Sequence, residues 1–251
     1  MAFDTRQSSA LAPDKKQHFR RLFVDQATGS FLTLSLGMGL VAAGLPIVLL
    51  IIGGQDNSIS HYYWHQHTLW SEQSDAPRNI FVGALWATGV FLFLFRGLSW
   101  QENWCLNVAG FFAIMVAMNP MSGEVDPKCS DHFQLTLHGT CASIFFLCLT
   151  AVAVLFSKKR IKSIEVDRTR RRFKAAYNLA GTLMIAMPAI VVVIHKFGHK
   201  DCHTPTVFWC ETLGIWSFGF YWFVKTMEYR LLLGVRVHRP GETAATVTIS
   251  D

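Results

Sequence analysis

Residues 31–53 read FLTLSLGMGLVAAGLPIVLLIIG, without one charged side chain. A membrane core about 30 Å thick takes roughly 20 mostly apolar residues to cross as a helix. The helix is favoured there because it satisfies its own backbone N–H and C=O groups where no water can. This run is long enough, starts only after 30 residues, exceeds a signal-peptide core and lacks a small-residue cleavage site. It therefore reads as a membrane span and not as a secretion signal.

Five further runs of similar length follow, at 79–97, 103–121, 134–156, 174–195 and 206–233. The second ends at Arg96, the third near Pro120, and the fourth contains His138. The fifth contains Pro188, expected to kink it, and the sixth keeps Glu211 near its start. Composition agrees: 51% of residues are hydrophobic and only 16% charged, with 20 Phe and 8 Trp, where a soluble domain carries about 25% charge. Such a chain is too apolar for disorder, and six long runs argue against a soluble helical protein with buried helices. The expected fold is an all-α polytopic bundle of six transmembrane helices. It comprises an N-terminal segment 1–30, a membrane domain 31–233 and a tail 234–251, with 1–16 and 240–251 irregular.

Cations in the connections set orientation. Nineteen of the 23 Lys and Arg fall in the N-terminal segment, around Arg96, in 157–174, or from Lys225 to the end. The connections at 54–78, 122–133 and 196–205 hold only Arg78, Lys128, Lys196 and Lys200. Both termini are thus expected in the cytoplasm. The stretch KKRIKSIEVDRTRRRFK (158–174) is first a topology determinant, with anionic lipid heads as a second reading. No recognition fold accompanies the charge, so a nucleic-acid partner is not expected. Membrane lipids are the expected partners. Small residues such as Gly37 and Gly44 permit close helix packing, within one chain or in a homo-oligomer.

Eight of the ten histidines, all but His18 and His238, fall on the expected outer side, with Asp56, Glu72, Asp75, Glu124, Asp126, Asp131 and Glu211. His61 and His65 are four apart, as are His195 and His199, while Asp131 and His138 are seven apart. Each spacing suits one helix face. Imidazole and carboxylate donors suit Zn²⁺, so His61, Asp131, His138, His195 and His199 are candidate ligands. A metal-bound water would be a nucleophile at neutral pH. Against this, no HExxH is present, and each histidine is equally readable as a hydrogen-bonded interfacial residue. Glu211 is costly inside a span unless paired. It reads either as an acid/base group or as half of an ion pair with Arg78, Lys196 or a histidine. Ser60, in Ser58–Trp64, is a candidate nucleophile without a GxSxG turn; its segment reads as an interfacial hook or a lid. Arg96 and Lys225 are expected to snorkel. Cys105, Cys141 and Cys148 read as buried thiols. Cys129 is expected to pair with Cys202, with Cys210 competing.

Three stretches carry a resemblance: SISHYY (58–63), RNIFVGALWATGVFLF (78–93) and FWCETLGIWSFGFYWFVK (208–225). They resemble an uncharacterised bacterial membrane family of the domain-of-unknown-function 998 type, within the DRAM/Frag-like six-helix superfamily. The resemblance implies six helices, cytoplasmic termini and a bacterial inner membrane, and brings no established activity. A weaker similarity, as chemical analogy, is to membrane hydrolases of the alkaline ceramidase and adiponectin-receptor type. There a serine, an aspartate and three histidines surround zinc, and Ser60, His61, Asp131, His195 and His199 would be the counterparts. Those proteins have seven helices and place HxxxH in the last one.

Three functions are expected in turn. The first is a lipid-interacting, structural or transport-related membrane protein without catalysis. The second is a zinc-dependent hydrolase or transferase acting on a lipid. The third is a haem or quinone electron carrier with His138 as an axial ligand.

Overall fold

The structure is a computed structural model. It describes residues 13–66, 68, 70–71, 73–121, 136–162, 164, 166–197 and 205–232. The long helices among them are α1 (Pro13–Gly53), α2 (Ala76–Leu94), α3 (Trp100–Met118), α4 (Leu137–Ala151), α6 (Asp167–Phe197) and α7 (Thr206–Leu232). A short α5 (Ser157–Ile161) extends α4, and a 3-10 helix spans Ile59–Tyr63. The described residues form no strand, only an isolated bridge between Thr68 and Ser71.

Local chemistry sets the helix ends. Pro77 lies in the first turn of α2, where a missing N–H costs nothing. Ser99 caps α3 by accepting from the Glu102 N–H at 3.2 Å, and Thr136 caps α4 by accepting from the Gly139 N–H at 3.1 Å. α1 begins at Pro13, inside the stretch expected to be an irregular tail. At about 1.5 Å per residue its 41 residues far exceed what a crossing needs. α6 continues through Pro188 as one helix. Between α4 and α5 lies one π-helical turn, Val152–Phe156. The Ser157 hydroxyl donates to the Val152 carbonyl there at 3.3 Å.

Four segments are long and apolar enough to cross a membrane: Gln17–Gly53, Ala76–Leu94, Leu137–Phe156 and Asp167–Ile194. This makes the chain a membrane protein by length and composition. Large apolar side chains such as Leu40, Phe93, Phe111, Leu147 and Val193 are exposed, as lipid-facing positions require. The runs that became α3 and α7 fall short of that apolarity. α3 carries Glu102, Asn103 and Asn107; α7 carries Glu211, Lys225 and Glu228 among its aromatics.

The helices neighbour one another in chain order: α1 on α2, α2 on α3, α3 on α4, α4 on α6, α6 on α7, and α7 back on α1. Two of these seams rest on bare backbone. A Cβ on Gly110 would lie 2.7 Å from the Gly89 carbonyl, so α2 and α3 touch main chain to main chain. A Cβ on Gly219 would meet the Gly39 carbonyl at 3.2 Å. The close approach of α1 therefore uses Gly39, while Gly37 faces Phe91 and Gly44 has open space. One core gathers Met38, Phe95, Leu106, Leu149, Met184 and Trp222. A smaller one gathers Leu45, Leu49, Ile59, Tyr62, Phe81 and Phe208 beneath the connection from α1 to α2.

At the opposite end, Lys225 does not snorkel. It is fully buried, with Nζ 2.8 Å from Glu102 Oε1 and 2.9 Å from the Tyr221 hydroxyl, and lies over the rings of Phe95, Tyr221 and Trp222. Glu102 also accepts from the Leu98 N–H at 3.1 Å, and Tyr177 donates to the buried Glu228. The reason is packing. α3 brings a carboxylate to the one place where the lysine of α7 would otherwise need water. Arg96 is exposed, as a snorkelling residue would be.

Candidate functional site

The chain leaves α1 at Gly53 and turns at Gly54, whose φ of 78° suits a residue without a Cβ. It then enters a short polar segment tied down at almost every residue. Asn57 accepts from the Phe208 N–H at 2.9 Å through its carbonyl. Ser58 caps the 3-10 helix: its hydroxyl accepts from the Ser60 N–H at 3.1 Å and donates to Glu211 Oε2 at 2.7 Å. The Ile59 N–H donates to the same Glu211 oxygen at 2.6 Å. Glu211, carried by the first two turns of α7, thus receives the start of the 3-10 helix.

The next residue, Ser60, is half-buried, and its Oγ lies 3.0 Å from His138 Nε2. His138 is buried in the first turn of α4, and its Nδ1 lies 2.8 Å from the carbonyl of Asn119. Asn119 caps the C-terminus of α3, where carbonyls lack helical partners. A carbonyl only accepts, so Nδ1 carries the proton. The Nε2 lone pair of the neutral ring then faces the Ser60 hydroxyl. A hydroxyl, an imidazole lone pair and a carbonyl that orients the ring thus stand in line.

A second cluster flanks the first. Asp56 accepts from His61 Nδ1 at 3.0 Å through one oxygen and from His65 Nδ1 at 2.9 Å through the other. His65 Nε2 meets the Gly53 carbonyl at 3.0 Å. The His61 imidazole is raised by its bond to Asp56, which outweighs burial. Burial pushes the Asp56 carboxyl up, yet the bonds from His61, Asn57 and His65 together hold it below the usual value. Tyr62 donates to the Gly54 carbonyl, and burial pushes its phenol up to about 12. The Trp64 indole donates to the Met121 carbonyl at 2.8 Å.

Of the residues singled out from sequence, the structure brings Ser60 to His138 and Glu211 to the turn just before Ser60. His61 and His65 converge on Asp56, although their segment is 3-10 and not α-helical. His195 lies on α6, and its side chain is outside the described set. Asp131, His199, Cys129 and Cys202 lie outside the described residues. Cys210 is a buried free thiol. Asp56, His61 and His65 resemble a ligand set in composition, but their facing atoms are engaged with one another and with Gly53. Among the described residues no group of three or more His, Cys, Asp and Glu is arranged to hold a metal ion. An axial-ligand role for His138 would take Nε2 and so cost its contact with Ser60, while Nδ1 could keep the Asn119 carbonyl.

Sequence reasoning did not single out Asn119, Asp56 as a clamp, or the role of Arg78. Nothing local marks Asn119, because a backbone carbonyl has no residue signature. Arg78 was readable as one of few cations on its side of the chain. It donates to the Tyr63 hydroxyl at 3.3 Å, and its guanidinium carbon lies 4.7 Å from the centre of that ring. No family model, curated protein or solved structure matches the chain.

Proposed function

We propose that this is a six-span integral membrane protein with both termini in the cytoplasm, and that its outer end carries a serine–histidine site for acyl transfer from a lipid ester. The observation that carries the reading is the line Ser60 Oγ, His138 Nε2, His138 Nδ1, Asn119 carbonyl, at 3.0 and 2.8 Å. The cation asymmetry of the connections supports the orientation. The three stretches that resemble the domain-of-unknown-function 998 type family meet at this site, through Ser58 on Glu211 and Tyr63 on Arg78.

In the proposed reaction Ser60 Oγ attacks the ester carbonyl carbon as His138 Nε2 takes its proton. The tetrahedral adduct collapses and expels the lipid alkoxide, which receives that proton from Nε2. Water, deprotonated by the same nitrogen, then attacks the acyl-serine and releases the fatty acid, returning the proton to Ser60. Asn119 holds the ring so that Nε2 and not Nδ1 faces the serine. Glu211 and Ser58 are positioning residues for the turn.

The test is labelling of the purified full chain with a fluorophosphonate, read by intact mass and peptide mapping. One adduct on Ser60 is expected, absent in Ser60→Ala. His138→Gln should slow labelling by about 10²- to 10⁴-fold, the span of a lost general base. Wild-type protein without an adduct, or His138→Gln labelling at the wild-type rate, would overturn the reading. The alternative is a lipid-binding or structural role without turnover. It draws on how completely Asp56, His61 and His65 satisfy one another, and it predicts no adduct.

A further inference from the structure

Arg78, in the first turn of α2, has an unusual set of contacts. Both of its contacts among the described residues are to Tyr63: the 3.3 Å bond to the hydroxyl and the stacking at 4.7 Å over the ring. Among those residues no carboxylate pairs with it, although the guanidinium is half-buried. A phenol hydroxyl and a ring face leave most of its five N–H donors for something else. Exposed Trp64 and Trp70 lie on the same connection, and Trp209 lies at the start of α7. Such residues gather at the level of lipid headgroups.

The 3-10 geometry relates this cation to the serine. Residues three apart on such a helix eclipse one another, with a rise of about 2 Å per residue. Ser60 and Tyr63 therefore lie along one edge of Ile59–Tyr63, about 6 Å apart along its axis. Arg78 rests on the Tyr63 side chain, so a guanidinium and a candidate nucleophile are carried by one edge, on residues one turn apart. A ligand that spans this edge carries an anion at one end and the reacting group at the other. Guanidinium is also the side chain best matched to phosphate oxygens.

We infer that the ester presented to Ser60 belongs to a glycerophospholipid whose phosphate is held by Arg78. The inference rests on the serine–histidine reading for its chemistry, but its binding half stands apart from turnover. Arg78 is then the residue that selects phospholipids over uncharged acylglycerols.

The test uses the full chain carrying Ser60→Ala, so that lipid is not consumed, in detergent. Dioleoylphosphatidylcholine and dioleoylglycerol are titrated and retention is read by native mass spectrometry. Phosphatidylcholine is expected to bind about ten- to a hundredfold more tightly than the diacylglycerol, the span of one charge-assisted bond. Adding Arg78→Gln should bring the two lipids within about threefold of each other, while Arg78→Lys should keep part of the preference. Circular dichroism establishes that each variant is folded. A preference that survives Arg78→Gln overturns the inference. So does displacement of the phospholipid by millimolar inorganic phosphate in an Arg78-dependent way, which would assign the guanidinium to a soluble anion. An Arg78-dependent preference in a protein whose Ser60 takes no fluorophosphonate upholds the phospholipid site and removes only the acyl-transfer reading.

Discussion

Replacing Lys225 by Met removes the cation and keeps most of the chain length between the rings of Phe95, Tyr221 and Trp222. What is left is Glu102, buried and deprived of its partner at 2.8 Å. Breaking a buried pair from one side costs about 3–5 kcal/mol, because the surviving charge has lost its water as well as its partner. For a chain of this size each kcal/mol lowers the melting midpoint by about 2–4 °C, so Lys225→Met should lose roughly 6–20 °C. The double variant Glu102→Gln/Lys225→Met removes both charges. The amide introduced by Glu102→Gln can still accept from the Leu98 N–H, and most of the loss should be recovered, to within about 2 kcal/mol of wild type. The assay is thermal unfolding in one detergent, followed by far-ultraviolet circular dichroism, with wild type, both single variants and the double in parallel. A Lys225→Met midpoint within about 2 °C of wild type would refute the reasoning. So would a double variant no more stable than Lys225→Met, since the cost would then come from the lysine's contacts and not from an orphaned carboxylate.

Two further outcomes follow from the same geometry. The Asp56–His61 bond should make stability depend on pH. A histidine raised in the fold contributes fully below its unfolded value near 6.5 and loses that contribution as pH rises through its folded value. Asp56, lowered in the fold, contributes above its ordinary 3.8 and loses it as pH falls through its folded value. Melting midpoints should therefore fall as pH is raised from about 6 to 9, and Asp56→Asn should flatten that fall; an unchanged slope in Asp56→Asn would count against the clamp. Gly110→Ala would set a Cβ 2.7 Å from the Gly89 carbonyl and should cost about 1–3 kcal/mol by forcing α2 and α3 apart. Gly44→Ala, which enters open space, should be near neutral in the same melt.

The apolar runs were legible because burial in lipid acts on each residue of a span separately, so a window of sequence contains the whole signal. α3 and α7 were harder. Their polar residues are matched across the bundle, and a hydropathy window sees Glu102 and Lys225 as two unfavourable residues and not as one pair. The same blindness made Lys225 look like a snorkelling side chain. Ser60 and His138 were each visible, but 78 positions separate them, and only the packing of α3 between α2 and α4 brings them together. The seven-residue spacing of His138 from Asp131 suggested a metal ligand, whereas its partners in the fold are a hydroxyl and a main-chain carbonyl. His61 and His65 were grouped as one face of a helix, but the helical segment is 3-10 and ends at Tyr63. What they share is Asp56, which lies before the segment and outside its helical period.

The contact between Ser58 and Glu211 spans 153 residues, and α7 closes the ring of helices against α1. The consequence is temporal. At about 5–20 residues per second a ribosome takes roughly 8–30 s to proceed from the serine-bearing turn to the glutamate that anchors it. Throughout that interval the nascent chain carries Ser60 without the support that holds it beside His138. The arrangement is completed only when α7 packs against α1, so a chain that stalls or is truncated before α7 carries the Ser58–Ile59 turn without its Glu211 anchor.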